Sequence, residues 1–289
     1  MMNIVFVCTG NTCRSPLAEG LMKKLLADRG IDSINVTSAG LAAYPGDEVS
    51  EKSVIAAEKY GVDISAHRSK RISEYMLGDS VFVCMTASHA QALVPYLEEN
   101  RLFILGGGVS DPYGGTQEIY DACAAQINGA LPELLAEIIR RNTVITAMDK
   151  SHIAEIARIE RECFSLPWSE NSLEQELENE NAHFLTALLG DAVVGYIGVI
   201  EICGEADITN VATDTRYRRF GIGEKLLKSA EKGATERKCK SITLEVRISN
   251  AAAISLYEKS GYERVGVRKG FYEKPTEDAL LMTKYFAKG

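Results

Sequence analysis

Residues 7–16 read Val7-Cys8-Thr9-Gly10-Asn11-Thr12-Cys13-Arg14-Ser15-Pro16, and they join a β-like run to a segment of helical period. A tight loop between a strand and a helix points successive backbone N–H groups inward, and the helix N-terminus adds partial positive charge. Gly10 relieves the turn, and the Arg14 guanidinium can grip two phosphate oxygens. We therefore predict a phosphate site formed by Thr9, Gly10, Asn11, Thr12, Cys13, Arg14 and Ser15.

The same loop predicts chemistry at Cys8. The field of the loop favours thiolate over thiol, and the hydroxyl of Ser15 is near enough in sequence to donate to the sulfur. Cys8 would attack phosphorus and form a phosphocysteine intermediate. Asp111, in Ser110-Asp111-Pro112-Tyr113-Gly114-Gly115, is the candidate both for the acid that protonates the leaving group and for the base that activates water. The plainer interpretation, a buried strand-end thiol beside a helix-start charge at Arg14, suits a less complete motif.

Around this loop, the first half of the chain alternates short β-rich runs with segments of helical period. An apolar stripe that includes Leu17 and Leu21, together with Pro16 near its start, predicts a helix over residues 16–29. The alternation predicts an α/β fold with a parallel sheet and crossover helices. The β-rich runs are residues 3–7, 35–37, 80–84 and 102–105.

The Cys-x5-Arg-Ser run of residues 8–15 and the distant Asp111-Pro112 pair closely resemble the low-molecular-weight protein tyrosine phosphatase family. The resemblance covers roughly residues 1–142, including Ser38-Ala39-Gly40 and His67-Arg68. It implies a phosphatase whose partner is a phosphorylated protein.

Thr12 decides the expected substrate. In tyrosine-specific members of that family the residue before the second loop cysteine is typically aliphatic, whereas the branch that acts on phosphoarginine carries Thr there. A hydroxyl at this position could organise a guanidinium leaving group, so protein arginine phosphatase is favoured and protein tyrosine phosphatase is the alternative. Thr12 can also be a β-branched loop residue with no selective role.

Two other thiol functions involve the remaining cysteines. Arsenate reductases share this loop but need further cysteines to pass a disulfide along, and Gln91 and Val94 stand where a second cysteine would follow Cys84. Arsenate reductase is therefore the less favoured alternative. A reversible disulfide between Cys8 and Cys13 would shield Cys8 from irreversible oxidation.

The second half carries a glycine-punctuated turn, Arg218-Arg219-Phe220-Gly221-Ile222-Gly223, between a strand-like run and a helical one. Such a turn exposes backbone donors at a helix N-terminus, which suits a pyrophosphate. Further on, residues 241–247 alternate apolar and polar side chains, so Glu245 faces away from the apolar side. Ser249-Asn250 is typical of a helix cap, and the predicted helix over residues 251–259 carries Tyr257.

This turn resembles the coenzyme A loop of the GCN5-related N-acetyltransferases, and residues 244–262 closely resemble the ribosomal-protein alanine N-acetyltransferases. The resemblance spans about residues 143–287 and implies acetyl-CoA as co-substrate and a protein N-terminus, on a ribosomal protein, as acceptor. It also gives Glu245 the role of base towards the ammonium and Tyr257 that of acid towards the leaving thiolate. The implied cofactor-binding residues are Val211, Ala212, Thr213, Arg218, Arg219, Phe220, Gly221, Ile222, Gly223, Glu224 and Asn250.

The acceptor stays open at this point, because the wider superfamily acetylates lysines, polyamines and antibiotics with the same loop. Phe220 stands where a polar residue is usual, a change that should affect packing and not the backbone donors. Residues 166–170 are similar to the segment that lies near the acceptor peptide in the alanine acetyltransferases. A buried structural role is the alternative for Trp168.

The whole chain has 289 residues, long for one core, so we expect two domains, 1–142 and 143–289. With 46% hydrophobic and 25% charged residues, both should be ordinary globular domains. Helical segments followed by strands predict an α+β fold for the second. The net charge is −8, and the Lys and Arg residues are scattered among Asp and Glu without forming a basic stripe, so a nucleic-acid partner is not expected.

Seven cysteines, without paired CxxC spacing, predict neither a zinc site nor a disulfide scaffold, and we expect no metal. No window reaches the apolar length of a membrane span, and the start of the sequence lacks the pattern of a signal peptide, so we expect a cytoplasmic enzyme without a membrane partner. In a competing hypothesis, one domain is a degenerate module that senses phosphate or CoA. Intact candidates at both sites argue against it: Cys8, Arg14, Asp111, Glu245 and Tyr257.

Overall fold

The structure, a computed structural model, describes residues 1–286. It divides into two compact units, Met1–Asn142 and a second that begins at Thr143. The last three positions of the expected second domain, residues 287–289, lie outside the described residues. Within the described part of the chain, no helix combines the length and the hydropathy needed to cross a membrane.

Four parallel strands form the sheet of the first unit, which confirms the predicted α/β fold. Their order in the sheet places the first strand in the middle, between the second and the third. The strands are β1 (Met2–Cys8), β2 (Ile34–Gly40), β3 (Ser80–Cys84) and β4 (Leu102–Ile104). The α-helices are α1 (Arg14–Asp28), α2 (Glu51–Glu58), α3 (Ala87–Leu93) and α4 (Gln117–Asn142).

Helix α1 begins two residues before the predicted start at residue 16. Its N-cap, Cys13, makes no side-chain hydrogen bond to the first turn, so the terminal N–H groups of the helix are left for the loop that precedes it. Strand β1 also runs one residue past its predicted end and carries Cys8 at its last position. Strand β1 thus ends at Cys8 and helix α1 begins at Arg14, so only the five residues between them form the loop.

The second unit is built on a seven-stranded sheet. From one edge to the other, its first five strands lie in chain order and are followed by the seventh and then the sixth; all neighbours are antiparallel except the fourth and the fifth. Its strands are β5 (Thr143–Ala147), β6 (Leu185–Leu189), β7 (Ala192–Ile202), β8 (Glu205–Thr213), β9 (Ser241–Arg247), β10 (Glu263–Glu273) and β11 (Thr276–Tyr285). Its α-helices are α5 (Ile153–Cys163), α6 (Glu170–Glu176), α7 (Ile222–Glu236) and α8 (Ala251–Lys259). The mixed sheet with helices confirms the predicted α+β fold.

Strands β8 and β9 pair only over their first halves. Their parallel register ends at the pair Ile208 and Leu244, although β8 continues to Thr213 and β9 to Arg247. Beyond that pair the two strands diverge, and no strand among residues 1–286 pairs with the edge of β8 that faces β9. This divergence opens the cavity described below.

Candidate functional sites

The phosphate loop of the first unit surrounds the sulfur of Cys8, which is almost fully buried. The Ser15 Oγ lies 3.0 Å from the Cys8 Sγ, and the backbone N–H of Asn11 donates to the same sulfur over 3.2 Å. The predicted nucleophile and its predicted hydroxyl donor are therefore in contact. The Asn11 donor lies three residues further along the same loop.

A layer of side chains behind the loop holds Asn11 in place. Asn11 has φ +55°, a left-handed conformation that costs a non-glycine residue about 1–2 kcal/mol. Its side-chain N–H2 donates to Ser15 Oγ and to Ser38 Oγ, each over 2.8 Å, and its Oδ1 accepts from the backbone N–H of Lys70 over 2.8 Å. His67 Nε2 lies 3.2 Å from the same Oδ1. These contacts fix the strained residue and, through it, the donors that face Cys8.

Gly40, at the end of β2, lets the loop approach the neighbouring strand. A Cβ at this position would lie 2.5 Å from the carbonyl oxygen of Thr9 and 3.0 Å from the backbone nitrogen of Asn11. Any larger residue would push the loop away. The Ser38-Ala39-Gly40 segment therefore supports the loop in two ways: Gly40 leaves room for its backbone, and the Ser38 hydroxyl accepts from Asn11.

Arg14 and Asp111 are 97 positions apart in the sequence and form an ion pair. The Arg14 Nη2 lies 2.7 Å from the Asp111 Oδ2, and its Nη1 donates to the carbonyl oxygen of Val109 over 3.2 Å. The Arg14 side chain is 6% exposed, whereas that of Asp111 is 51% exposed. The structure thus brings the loop arginine and the candidate acid together, with the acid on the solvent side.

His89 is a neighbour of the loop that the sequence patterns did not indicate. Its Nε2 lies 3.0 Å from Thr9 Oγ1, and its Nδ1 lies 2.7 Å from Thr86 Oγ1 at the start of α3. Burial lowers the pKa of His89, and the nearby Arg14 guanidinium lowers it further. A histidine that begins a helix gives no local signal, because only the fold brings it to Thr9.

Thr12 and Cys13, two further residues of the loop, differ in their burial. Thr12 is half-buried, and its backbone carbonyl accepts from the N–H of Ser50 over 2.8 Å. Cys13 is buried, and its sulfur lies 3.5 Å from the hydroxyl of Tyr120 on α4. Cys8 and Cys13 are both free thiols in this structure.

Cys84 is the thiol on which an arsenate reductase reading would depend. It is fully buried in β3, and burial raises its pKa to about 12. A thiol of that kind stays protonated near neutral pH and is a poor partner for disulfide exchange. Cys123 on α4 is also buried, and burial raises the pKa of its thiol to about 12 as well.

The second unit contains a cavity of about 570 Å³ where β8 and β9 diverge. One wall is formed by β8 around Asn210, and the opposite wall by β9 and by the start of α8. Both predicted catalytic residues of this half are in its lining. Prominent lining residues are Glu245, Arg247, Asn250, Tyr257, Trp168 and Tyr272.

The Glu245 side chain is 27% exposed, and its Oε1 lies 3.0 Å from the Nη1 of Arg268 on β10. Its backbone carbonyl accepts from the hydroxyl of Tyr272 over 3.2 Å. Tyr257 is buried, and burial raises the pKa of its hydroxyl, with a further contribution from Tyr272. One cavity thus holds a carboxyl group and a phenol that stays protonated at neutral pH.

Arg247, two residues beyond Glu245, ties two segments together across the cavity. Its Nη2 donates to Ser165 Oγ over 3.2 Å and to the carbonyl oxygen of Lys274 over 3.0 Å. Its Nη1 lies 3.1 Å from the Glu277 carboxylate, and the guanidinium carbon lies 4.3 Å from the ring centre of Tyr272. The segment after α5 and the turn between β10 and β11 are therefore joined at the cavity rim. The sequence patterns did not indicate a role for Arg247, although its position two residues after Glu245 on the same strand was a signal.

The glycine-punctuated turn has the backbone that a pyrophosphate cradle needs. Arg219 and Gly221 have left-handed φ values of +71° and +81°, and α7 begins at Ile222. Phe220, the unusual residue of the turn, is buried, whereas its expected lack of effect on the backbone donors stays a prediction. This turn and the unpaired edge of β8 fit an extended nucleotide with a long flexible arm, which is the shape of coenzyme A.

Asp214, between β8 and this turn, is a buried anchor that the sequence patterns did not indicate. Its carboxylate is fully buried and accepts from Arg216 over 2.8 Å and from Arg158 over 2.6 Å. The two hydrogen-bonded arginines keep the pKa of Asp214 lowered, although burial alone would raise it. Asp214 thereby fixes the turn to α5.

Asn250 is confirmed as the helix cap, since its side chain accepts from the N–H of Ala253 over 3.2 Å while it lines the cavity. Its predicted contact with the cofactor stays a prediction. Among residues 1–286, no group of three or more His, Cys, Asp or Glu side chains is arranged to hold a metal ion.

Comparison with known families gives one match for each unit. Residues 3–145 match the low molecular weight phosphotyrosine protein phosphatase family, and residues 153–262 match the acetyltransferase (GNAT) family. The two matches do not overlap.

Three curated relatives cover one half of the chain each. The low molecular weight protein-tyrosine-phosphatase PtpB of Staphylococcus haemolyticus (strain JCSC1435) is 39% identical, over 41% of this chain and 87% of that protein. The protein-arginine-phosphatase of Bacillus subtilis (strain 168) is 33% identical, over 48% of this chain and 96% of that protein. The ribosomal protein bS18-alanine N-acetyltransferase of Escherichia coli (strain K12) is 31% identical, over 48% of this chain and 94% of that protein.

Proposed function

The chain belongs to the low molecular weight phosphotyrosine protein phosphatase family in its first half and to the GNAT acetyltransferase family in its second, and we propose that it is a bifunctional enzyme with one independent active site in each of the domains 1–142 and 143–289. Both families are families of enzymes. The contact of Cys8 with Ser15 and Asn11 carries the proposal for the first site, and the cavity shared by Glu245 and Tyr257 carries it for the second.

In the first site, the Cys8 thiolate attacks the phosphorus of a phosphorylated protein. The backbone N–H groups of the loop and the Arg14 guanidinium hold the phosphoryl oxygens, while Ser15 donates to the sulfur. Asp111 protonates the leaving group as its bond to phosphorus breaks and the sulfur–phosphorus bond forms. Asp111 then takes a proton from the water that releases phosphate and restores the thiolate. Substrate binding replaces the Arg14–Asp111 ion pair, which frees both side chains for these roles.

We favour protein-phosphoarginine as the substrate. Thr12 is half-buried in the loop, and its Oγ1 lies 3.8 Å from the Cys13 Sγ, a contact that a polar leaving group can replace. One similar protein is named a protein-arginine-phosphatase. Protein-phosphotyrosine is the second candidate, favoured by the 39% identity to a protein-tyrosine-phosphatase.

Exchange of Thr12 for isoleucine tests this choice. We expect the ratio of kcat/KM for a phosphoarginine peptide to that for a phosphotyrosine peptide to fall about tenfold, because one hydrogen bond to the guanidinium is lost and an aliphatic surface is gained. Inhibition by inorganic phosphate, which occupies the loop but carries no leaving group, serves as the control, and its inhibition constant should change little. A wild-type preference for phosphotyrosine that Thr12→Ile leaves unchanged would contradict the assignment.

In the second site, acetyl-CoA supplies the acetyl group as a thioester. The backbone of Val211, Ala212 and Thr213 would hold the pantetheine arm, and Asn250 would contact the cofactor. Glu245 removes a proton from the acceptor ammonium, and the resulting amine attacks the thioester carbonyl. A carbon–nitrogen bond forms, and the carbon–sulfur bond breaks as Tyr257 donates a proton to the departing sulfur. Arg268 has an exposed side chain, so it can leave Glu245 when the ammonium enters. The turn residues that would hold the pyrophosphate are Arg218, Arg219, Phe220, Gly221, Ile222, Gly223 and Glu224.

We propose a protein N-terminus as the acceptor, with the N-terminal alanine of a ribosomal protein as the favoured case. The similar Escherichia coli protein is named for that reaction. All seven cysteines are free thiols, which fits an enzyme of the reducing cytoplasm, where ribosomal proteins are found. Lysine side chains and small amines are the alternative acceptors.

Mass spectrometry of ribosomal proteins after incubation with the enzyme and acetyl-CoA tests the acceptor. We expect one acetyl group on the N-terminal alanine of a single ribosomal protein. The same incubation with CoA in place of acetyl-CoA is the control and should add nothing. Acetyl groups spread over lysine side chains would refute the N-terminal assignment.

A further inference from the structure

Glu160 is a fully buried glutamate in α5 that the proposed reaction does not use. Its carboxylate accepts hydrogen bonds from three different parts of the second unit. The Trp168 backbone N–H donates to Oε2 over 2.7 Å, and the Asn210 side-chain N–H2 donates to Oε1 over 2.9 Å. The Tyr196 hydroxyl also donates to Oε1. A buried carboxyl group is tolerated only when its oxygens are satisfied in this way.

Two of the three donors belong to residues that line the cavity. Asn210 lies on β8 just beyond the point where β8 leaves β9, and Trp168 lies on the segment between α5 and α6. The Trp168 ring packs on Phe184 with 5.9 Å between ring centres, and Phe184 in turn stacks on Tyr196. Glu160 therefore connects two walls of the cavity from behind.

The segment that Glu160 holds forms part of the cavity rim, together with the turn between β10 and β11. Ser165, three residues before Trp168, is tied by Arg247 to the carbonyl of Lys274 on the turn between β10 and β11. With the co-substrate along β8 and the start of α7, the rim formed by this segment and by the turn between β10 and β11 is left for the acceptor. The position of Trp168 then determines how the acceptor backbone meets the cavity.

We propose that Glu160 is a positioning residue for the acceptor: it fixes Trp168 and Asn210 so that the acceptor polypeptide meets a preformed wall beside Glu245. This inference rests on the proposed acetyltransferase function. Glu160 contacts neither substrate and acts through the two lining residues. Its loss should weaken acceptor binding more than binding of acetyl-CoA, because the turn of residues 218–223 is anchored separately by Asp214.

Glu160→Gln in the full chain tests the proposal. The amide has one acceptor oxygen: its N–H2 group either faces the Trp168 N–H, which then loses its bond, or requires the Tyr196 hydroxyl and the Asn210 amide to reverse, and in both cases the contacts that fix the two lining residues change. With a synthetic hexapeptide that begins with alanine, we expect the acceptor KM to rise about tenfold. The KM for acetyl-CoA should stay within about twofold of wild type, since the turn that would hold its pyrophosphate is anchored through Asp214 and not through Glu160.

A second readout does not depend on activity. Trp168 is the only tryptophan of the chain, so its fluorescence reports the rim segment directly. We expect Glu160→Gln to increase acrylamide quenching of this fluorescence. The matched control is Glu231→Gln on α7, a buried carboxylate whose partner is Lys284 at 2.6 Å. It should leave both the acceptor KM and the quenching unchanged.

The outcomes separate this inference from the function on which it rests. If the wild-type protein acetylates no peptide, the proposed acceptor is wrong. If the wild type is active and Glu160→Gln leaves both acceptor KM and quenching at wild-type values, or raises the two KM values equally, Glu160 has no positioning role. Should Glu160→Gln fail to fold, Asn210→Ala removes one of the three bonds. Unchanged acceptor KM and quenching in that variant would equally overturn the proposal.

Discussion

Cys8→Ser is expected to reduce phosphatase turnover by at least about 10⁴-fold, the scale on which removal of a covalent nucleophile acts. A serine hydroxyl is not ionised at neutral pH, and Asp111 enters this step as the acid, so it cannot also take the serine proton before attack. The loop donors and Arg14 remain, so phosphate binding should persist while the covalent step is lost. Acetyl transfer by the same sample should continue at the wild-type rate, because its cavity belongs to the other unit. Phosphate release and peptide acetylation are measured on one preparation.

Cys123→Ala is the matched control for this prediction. Cys123 is a buried thiol of the same unit, on α4, and burial keeps it protonated. Its removal should leave phosphatase turnover within a few-fold of wild type. Substantial turnover by Cys8→Ser, or an equal loss in Cys123→Ala, would show that Cys8 is not the nucleophile.

Local patterns were sufficient to predict the parts of the first site that adjoin in the sequence. The strand end, the loop and the helix start follow one another over residues 7–16, so hydrophobic period and motif spacing locate them together. The layer that holds Asn11 could not be predicted in this way. The donor from Lys70 comes 59 positions further along the chain and is a backbone N–H, which carries no residue-specific signal.

The second site shows a different limit. Glu160 stands among charged neighbours, in Arg158-Ile159-Glu160-Arg161-Glu162, and its residue type is seldom fully buried. The structure nevertheless buries it completely, because Trp168, Asn210 and Tyr196 converge on its carboxylate. The divergence of β8 and β9 was equally invisible, since both strands keep the same period where they pair and where they part. A hydrophobic pattern predicts which face of a helix or strand is buried. The burial of Glu160 and the divergence of β8 and β9 depend instead on how separate helices and strands pack against one another.

Glu245→Gln should lower kcat for acetyl transfer by about 10²–10⁴-fold, the usual contribution of a general base. The amide keeps the size of the side chain and can still contact Arg268, so the cavity should retain its shape, but it cannot accept a proton from the ammonium. The residual rate should rise with pH, because hydroxide and the free amine then replace the missing base. Phosphatase turnover should be unaffected. The rate of acetyl transfer is measured as a function of pH with the hexapeptide that begins with alanine, and phosphate release is measured on the same sample.

Glu258→Gln is the matched control, since Glu258 on α8 pairs with Arg264 of β10 over 2.7 Å, much as Glu245 pairs with Arg268 of the same strand. Its pair is solvent-exposed, and such pairs contribute about 0–1 kcal/mol, so acetyl transfer should remain within a few-fold of wild type. If Glu245→Gln and Glu258→Gln lowered the rate of acetyl transfer equally, the loss would be due to the glutamate–arginine contacts and not to a general base at Glu245. Joint loss of both enzyme activities in either Cys8→Ser or Glu245→Gln, with the fold intact, would contradict independent sites. Separate losses require instead that each half of this chain performs its own chemistry.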